Sequence, residues 1–248
     1  MEGAEPGDVL AIEFLELETA SFGWTAIFPG FGLLSDEFPD AQLKIWDLQS
    51  CKDKGYTEFK RGIHVPIKPF LGVVGVAPEA EGEFSTIPPY ITGGNIDCKH
   101  ITAGSTLFLP VKNSGGLLSL GDGHAAQGDG EVCGTAIETQ MRAKVRITVQ
   151  KNRPWVQGPH YITDGSASKA AGFDDKGEYA SVGIDADLRE AARKAVRGQI
   201  DWLVGEKALD RVEAYMLVSV AGDLRISEIV DMPHYAVACS IPLNIFVG

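Results

Sequence analysis

The sequence predicts a mainly β fold: a β-sandwich body with a smaller C-terminal α/β portion, α+β overall. Three observations predict it. Glycine occurs 29 times and proline 13 times among 248 residues, a supply of tight turns that suits many short strands. Residues 135–149 alternate between two faces over a long run. Ile137, Thr139, Met141, Ala143, Val145, Ile147 and Val149 take one side, and Glu138, Gln140, Arg142, Lys144, Arg146 and Thr148 take the other. That period of two is the mark of a strand with one face on a core. Helical periodicity is confined to the chain after about Gly183. We therefore place the body at residues 1–182 and the C-terminal part at 183–248, packed together as one compact unit.

The elements follow in order. Val9 to Glu18 reads as the first strand, and its apolar phase switches near Glu13, which predicts a bulge or burial on both faces. A loop centred on Pro29-Gly30-Phe31-Gly32 comes next. Val65 to Val76 carries two prolines and two glycines and reads as an edge strand or a broken one. The long strand over Thr135 to Val149 follows, then a surface loop over Gly165 to Gly177. Asp185 is the expected N-cap of a first helix, with Asp187 in its first turn. Leu188, Ala192, Ala195, Val196, Ile200 and Leu203 form its apolar stripe to about Val204. A second helix begins at Asp210, three residues before Glu213, the spacing of a capping box. Leu224 to Val230 and Tyr235 to Phe246 return to strand.

Composition narrows the function. No apolar run reaches the roughly 18–20 residues of a membrane helix, so no spanning segment is expected. The start, Met1-Glu2-Gly3-Ala4-Glu5-Pro6-Gly7-Asp8, lacks the basic and apolar regions of a signal peptide, and a cytoplasmic location is expected. The chain has 22 basic and 34 acidic residues, a net charge of −12. That balance argues against nucleic acid, whose binding needs Lys and Arg to displace counterions, and against anionic lipid. A small neutral or cationic substrate fits better. Cys51, Cys98, Cys133 and Cys239 stand apart, with no CxxC pair, and read as buried thiols.

Chemistry concentrates in residues 93–138, where two of the five histidines and five carboxylates sit among glycines. Glycine lets backbone come close to a ligand. Imidazole and carboxylate donors without paired thiolates suit a catalytic zinc or another first-row divalent ion, and a carboxylate left free beside it can move protons. Singly, each residue has a plainer reading. His124 between glycines can bond backbone, and Asp122 and Asp129 before glycine suit turns. Asp97 can cap a turn, Glu131 can pair with a surface lysine, and Glu138 can be solvated. Their density favours a site. Cys98 and Cys133 flank it as packed thiols rather than nucleophiles. Trp24, Phe31, Phe70 and Tyr90 are candidates for an apolar wall. The phosphate-loop, nucleophile-elbow and HExxH motifs are absent, as is EF-hand spacing.

Gly93-Gly94-Asn95-Ile96-Asp97 and the run Gly121-Asp122-Gly123-His124-Ala125-Ala126-Gln127-Gly128-Asp129-Gly130-Glu131-Val132-Cys133-Gly134-Thr135-Ala136-Ile137-Glu138 resemble the signature of the acetamidase/formamidase family. Glu2 to Val9, Gly23-Trp24 through Gly32, and Ala221-Gly222-Asp223-Leu224-Arg225-Ile226 agree, so the resemblance spans essentially the whole chain. It implies hydrolysis of short aliphatic amides to a carboxylate and ammonia, a β-sandwich with an added α/β part, and a divalent metal, zinc foremost. Carried onto this sequence, the expected metal ligands are Asp97, His124 and Glu138, with Glu131 as the proton-transferring carboxylate. Asp122 and His100 are reserves. Glu131 and Glu138 are seven positions apart, so a regular strand would aim them to opposite faces. We expect Glu131 to belong still to the preceding loop. Members of the family carry an additional N-terminal segment before the stretch matching Glu2 to Asp8. Strands missing there would expose a sheet edge, and a homo-oligomer, most simply a dimer, is expected to cover it. The competing expectation is a non-catalytic shortened homologue, acting as a metal-binding β-sandwich or an oligomeric scaffold.

Overall fold

The computed structural model describes residues 1–51, 54–165 and 176–246. Its strands are β1 (Val9–Thr19), β2 (Phe22–Ile27), β3 (Gln42–Asp47), β4 (Tyr56–Lys60), β5 (Ile63–Pro66), β6 (Phe70–Gly75), β7 (Pro89–Tyr90), β8 (Gly93–Asn95), β9 (Thr106–Pro110), β10 (Ser119–His124), β11 (Met141–Gln150), β12 (His160–Ile162), β13 (Glu178–Asp185), β14 (Asp223–Glu228) and β15 (Tyr235–Pro242). Two helices, α1 (Leu188–Lys207) and α2 (Arg211–Ala221), lie between β13 and β14. The fold is mainly β, as expected. A seven-stranded sheet runs β11-β1-β9-β12-β13-β15-β14, a four-stranded sheet runs β10-β6-β8-β7, and β2-β3 and β4-β5 form hairpins. All the ladders are antiparallel. The large sheet draws strands from both sides of residue 183.

One apolar core joins the two larger sheets. Leu10, Ile12 and Phe14 of β1 and Leu107 and Leu109 of β9 meet Leu71 and Val74 of β6, together with Ile96. These side chains are almost wholly buried, and removing each from water is worth about 1.5–3 kcal/mol. The opposite face of the large sheet packs on the helices. Tyr179, Cys239 and Ile241 meet Ala195, Ile200, Trp202, Leu203, Ala214 and Val218 there. Strand β13 is therefore buried on both faces, which explains its small residues. A Cβ on Gly183 would lie 1.9 Å from the carbonyl oxygen of Ala191, so α1 can sit this close only over glycine. A third cluster, Trp46, Leu48, Ala125, Ala126 and Ile137, ties β3 to the loops around β10.

Local signals decide most boundaries. The phase switch in β1 is a register shift between Phe14 and Glu16. The Val65 to Val76 stretch is broken into β5 and β6, and β6 lies inside its sheet between β10 and β8. The capping box at Asp210 and Glu213 opens α2 as expected. Four boundaries differ from expectation. The last strand stops at Pro242, ahead of a 3₁₀ turn over Leu243–Ile245, instead of running to Phe246. The N-cap of α1 is Asp187, which accepts from Glu190 N–H at 2.9 Å. Asp185 instead ends β13 and accepts from Asp187 N–H. Helix α1 runs on to Lys207, past Val204, and stops at Ala208 in the left-handed region. The long alternating strand starts at Met141, not Thr135, because residues 135–139 bond to two different neighbours instead of one continuous partner. Most of the Gly165 to Gly177 loop lies outside the described residues.

Candidate active site

The site is built where β10, β6 and two glycine-rich turns converge. His124 ends β10 and is paired in register with Phe70 of β6. The Phe70 ring, wholly buried, meets the imidazole edge-on, with centroids 5.0 Å apart, so this candidate wall residue packs in the core and does not line the cavity. Asp122, two residues before His124, lies over the same part of β6. Asp97 follows β8, and Gly72 C=O accepts from both Ile96 N–H (3.1 Å) and Asp97 N–H (3.2 Å). Gly72 is the floor on which these groups meet. A Cβ there would lie 2.2 Å from Asp97 Oδ1, 2.5 Å from Asp122 Oδ2 and 2.9 Å from His124 Cε1.

Glu138 arrives from the other side. Residues 136–139 are threaded between β2 and β10 rather than added to a sheet. Trp24 and Glu138 exchange both backbone hydrogen bonds (2.9 and 2.8 Å), Ala125 N–H donates to Ile137 C=O, and Thr139 N–H donates to Gly123 C=O. Thr25 Oγ1 also donates to Ala136 C=O at 2.6 Å. The outcome is that Glu138 Oε2 and Asp122 Oδ1 each lie 3.1 Å from His124 Nε2. The second Glu138 oxygen accepts from Ala136 N–H at 2.8 Å. Glu131 stands in a turn before this segment, with φ 46°, so it belongs to the loop and shares a site with Glu138, as expected. Asp97, Asp122 and Glu131 account for three of the six non-glycine residues with positive φ among the described residues. Such angles are costly outside glycine and concentrate at functional sites.

His124 links the four expected site residues through two overlapping groups, and the expected ligand trio of Asp97, His124 and Glu138 is itself neither of them. Asp97, His124 and Glu131 offer donor atoms within 4.8 Å of one another, and so do Asp122, His124 and Glu138. Asp122, a reserve at the sequence level, is therefore in the cluster. His100 is not in either group. It lies near Asp129 (3.5 Å) and Glu178 (3.9 Å), while Asp129 also pairs with Lys99 at 2.9 Å. Cys98 is fully buried, and burial pushes its thiol up to about 11, unsuited to a nucleophile. Cys133 is half-buried, with Sγ 3.4 Å from Thr135 C=O.

Electrostatics separate the groups. Burial, reinforced by the charge of Glu131, pushes Asp97 well above the ordinary carboxylate range. Burial pushes Glu131 up to about 8. Burial alone would lower His124, but hydrogen bonds to Asp122 and Glu138 outweigh it and carry it to about 11. Asp122 is held below its ordinary value because the His124 hydrogen bond overcomes burial. The carboxylates around His124 thus favour positive charge at this point, whether from a proton on the ring or from a cation beside it.

The residues fit a divalent ion by one decisive observation. Asp97 is 1 % exposed, and neither of its carboxylate oxygens has a hydrogen-bond partner. A buried carboxylate without a partner is costly, and a cation is the natural complement to it. A cavity of about 770 Å³ reaches the cluster at Gln127 and Glu131 and is walled farther out by Lys99, Asp129, Glu178 and Arg225.

Comparison with known proteins now adds the family. The acetamidase/formamidase family model matches residues 1–83 and 80–247. The chain belongs to the acetamidase/formamidase family. It is 28% identical to the formamidase of Methylophilus methylotrophus over 322 aligned positions, covering 99% of this chain and 75% of that one. It is 30% identical to the acetamidase of Mycolicibacterium smegmatis over 207 positions, covering 56% of this chain and 48% of that one. The crystal structure of Bacillus halodurans acetamidase superposes with a TM-score of 0.86 at 32% identity, covering 99% of this chain and 77% of that chain. The alignment to the Methylophilus enzyme has 322 positions, and this chain has 248 residues to fill them. The remaining positions are residues of the relative with no counterpart in this chain. The two pieces of the family match overlap at residues 80–83, in the loop before β7.

Sequence reasoning missed four contributors. Gly72 had a signal, an isolated glycine inside an apolar strand, which marks close approach. Gln127 lay inside the family motif without a role. Asp231 is nearly buried, accepts from Asn95 Nδ2 at 2.9 Å, and is pushed up to about 6 by burial. Glu228 is fully buried, and burial pushes it up to about 7. Neither carboxylate had a local pattern to announce it.

Proposed function

We propose that this amidohydrolase cleaves short aliphatic amides, of the formamide and acetamide type, to a carboxylate and ammonia, and that it depends on a divalent cation, zinc foremost. Asp97, His124 and Glu138 would hold the ion, with Asp122 beside them. The unpartnered, buried carboxylate of Asp97 next to His124 is the observation that carries this reading. The names of the relatives support the substrate class. When bound, such an ion supplies Lewis acidity at the amide carbonyl and makes water at the site more acidic.

The chain's own residues do the rest. Glu131 lines the end of the cavity and is mostly screened from solvent, which suits proton exchange near neutral pH. One of its carboxylate oxygens takes a proton from the attacking water and returns it to the leaving nitrogen, so that ammonia departs and the carboxylate remains. Phe70 packs against the imidazole edge and keeps it in one orientation. Phe22, Leu43 and Ile45 are exposed on the β2-β3 hairpin, and this apolar surface supports a homodimer.

The test is ammonia release from formamide, acetamide and propionamide, combined with elemental analysis of the purified protein. We expect about one divalent ion per chain, activity lost with a chelator, and activity restored by zinc. No release from any of the three amides would overturn the substrate class. Full turnover by protein with no stoichiometric metal would overturn the cation.

A further inference from the structure

His124 can present either ring nitrogen to a cation, and the two overlapping donor groups around it leave both sides supplied with carboxylates. Gln127 distinguishes them. Its side-chain amide spans the two glycine-rich turns. Gln127 Nε2 donates to the backbone carbonyl of Asp97 at 2.7 Å, and Gln127 Oε1 lies 2.9 Å from His124 Nδ1. A carbonyl oxygen can only accept. The amide nitrogen must therefore face Asp97 C=O, and the amide oxygen must face the ring. An amide oxygen cannot donate, so His124 Nδ1 carries a hydrogen and donates it. The neutral ring then has its free lone pair on Nε2, the nitrogen that lies 3.1 Å from both Asp122 and Glu138.

We infer that Gln127 is a positioning residue that fixes the His124 tautomer, reserving Nε2, the nitrogen beside Asp122 and Glu138, for the proposed cation. The chain of dependence has two links. The Asp97 backbone orients the amide, and the amide orients the ring. A metal-binding histidine commonly donates its other N–H to such an outer acceptor, and losing that acceptor typically weakens metal affinity about 10–100-fold. The same amide ties the Asp97 turn to the His124 turn, so the two motifs are set in register by one side chain. This inference rests on the proposed cation site for its binding arm, and on hydrogen bonding alone for its spectroscopic arm.

Two substitutions separate the acceptor role from the structural tie. Gln127→Glu keeps an oxygen for His124 Nδ1–H and loses the donor to Asp97 C=O. Gln127→Leu loses both. Zinc affinity is measured by competition with a chromogenic chelator, with no amide present, and thermal melting reports folding. We expect Gln127→Leu to bind zinc about 10–100-fold more weakly and Gln127→Glu to stay within a few-fold of the parent. Equal weakening in both variants would overturn the assignment and leave Gln127 as a tie for the Asp97 turn alone. Parent-like affinity in Gln127→Leu would overturn it as well. The second readout is nitrogen-15 NMR of the His124 ring. The parent protein should show a protonated, slowly exchanging Nδ1 with and without zinc, and Gln127→Leu should lose that slow exchange. An unprotonated Nδ1 in the parent would overturn the proposal whether or not zinc binds. Absence of zinc binding by the parent, with the Nδ1 signal intact, would instead count against the proposed cation.

Discussion

Asp97, Asp122 and Glu131 hold φ angles of 40°, 59° and 46°, whereas the helix pair on the far face of the large sheet follows ordinary preferences almost throughout. Helix α1 is capped by Asp187 and α2 by a complete capping box. The one left-handed residue of the pair, Ala208 at φ 54°, sits at a helix C-terminus, where that conformation is common. The site has three of its acids at strained backbone angles, with Asp97 unpartnered and the group crowded by like charge. The helical layer has Trp202 stacked on Tyr179 at 4.0 Å and small residues under α1. Strain at a special backbone angle costs on the order of 1–3 kcal/mol, and a protein is stable by only about 5–15 kcal/mol. The site is therefore maintained by the rest of the molecule. The helical layer and the large sheet supply that stability and carry none of the proposed site residues. The comparison predicts that changes in the first region alter turnover and changes in the second alter melting.

The largest expected effect is at Glu131. Glu131→Gln keeps the shape and removes the base. General acid–base catalysis is worth about 10²–10⁴-fold, so amide turnover should fall by that factor, with zinc retained and the fold intact by circular dichroism. Near-normal turnover would exclude Glu131 as the base. Loss of zinc would move it into the ligand set, an outcome its proximity to Asp97 and His124 makes worth measuring.

A smaller effect, on stability alone, is expected at His160. This residue of β12 is 2 % exposed, with Nδ1 2.8 Å from the Tyr179 hydroxyl, and burial lowers it to about 3. Its folded pKa is thus below its unfolded value of about 6.5. Between those values the unfolded chain takes up a proton that the folded chain refuses. Stability should fall as pH drops below about 6.5, by at most about 1.4 kcal/mol per pH unit from this group. Denaturant unfolding at stepped pH checks this. His160→Gln should flatten the slope over that window and leave zinc affinity unchanged. An unchanged slope would show that His160 is not held neutral.

The two regions were also unequally legible in the sequence. Period-two alternation, the phase switch in β1 and the Asp210–Glu213 spacing are local patterns, and each reappears in the structure. The site acids Asp97, His124, Glu131 and Glu138 were visible through their glycine-rich setting and the family resemblance. What was not legible depends on contacts between distant segments. Asp185 and Asp187 are both competent caps, and the choice was made by pairing of Asp185 with Tyr235 across β13 and β15. Residues 135–139 alternate like a strand, yet Trp24 and Gly123 claim them from two sides. Asp231 comes beside Asp97 and Asn95 only when the chain near the C-terminus folds back on the site, and Gln127 acquires a role only when the Asp97 turn is folded against it.

The smallest effect is expected at Asp210, and it tests the stability side of the comparison by itself. Asp210 Oδ1 accepts from Val212 N–H and Glu213 N–H, each at 2.8 Å, and Glu213 Oε2 accepts in return from Asp210 N–H at 3.0 Å. Helix α2 has little else to hold it. Ala214 and Val218 are its buried residues, while Val212, Tyr215, Met216 and Val220 are exposed. Asp210→Ala removes the acceptor of Val212 N–H and Glu213 N–H, leaves the Glu213 arm to the backbone in place, and should cost about 1 kcal/mol. For a chain of this size that is a fall in melting temperature of roughly 2–4 °C. Turnover per folded molecule and zinc affinity should not change, because α2 packs on the face of the large sheet turned away from the sandwich core. A loss of turnover without a lower melting temperature would join the helical layer to the site and break the division drawn between them.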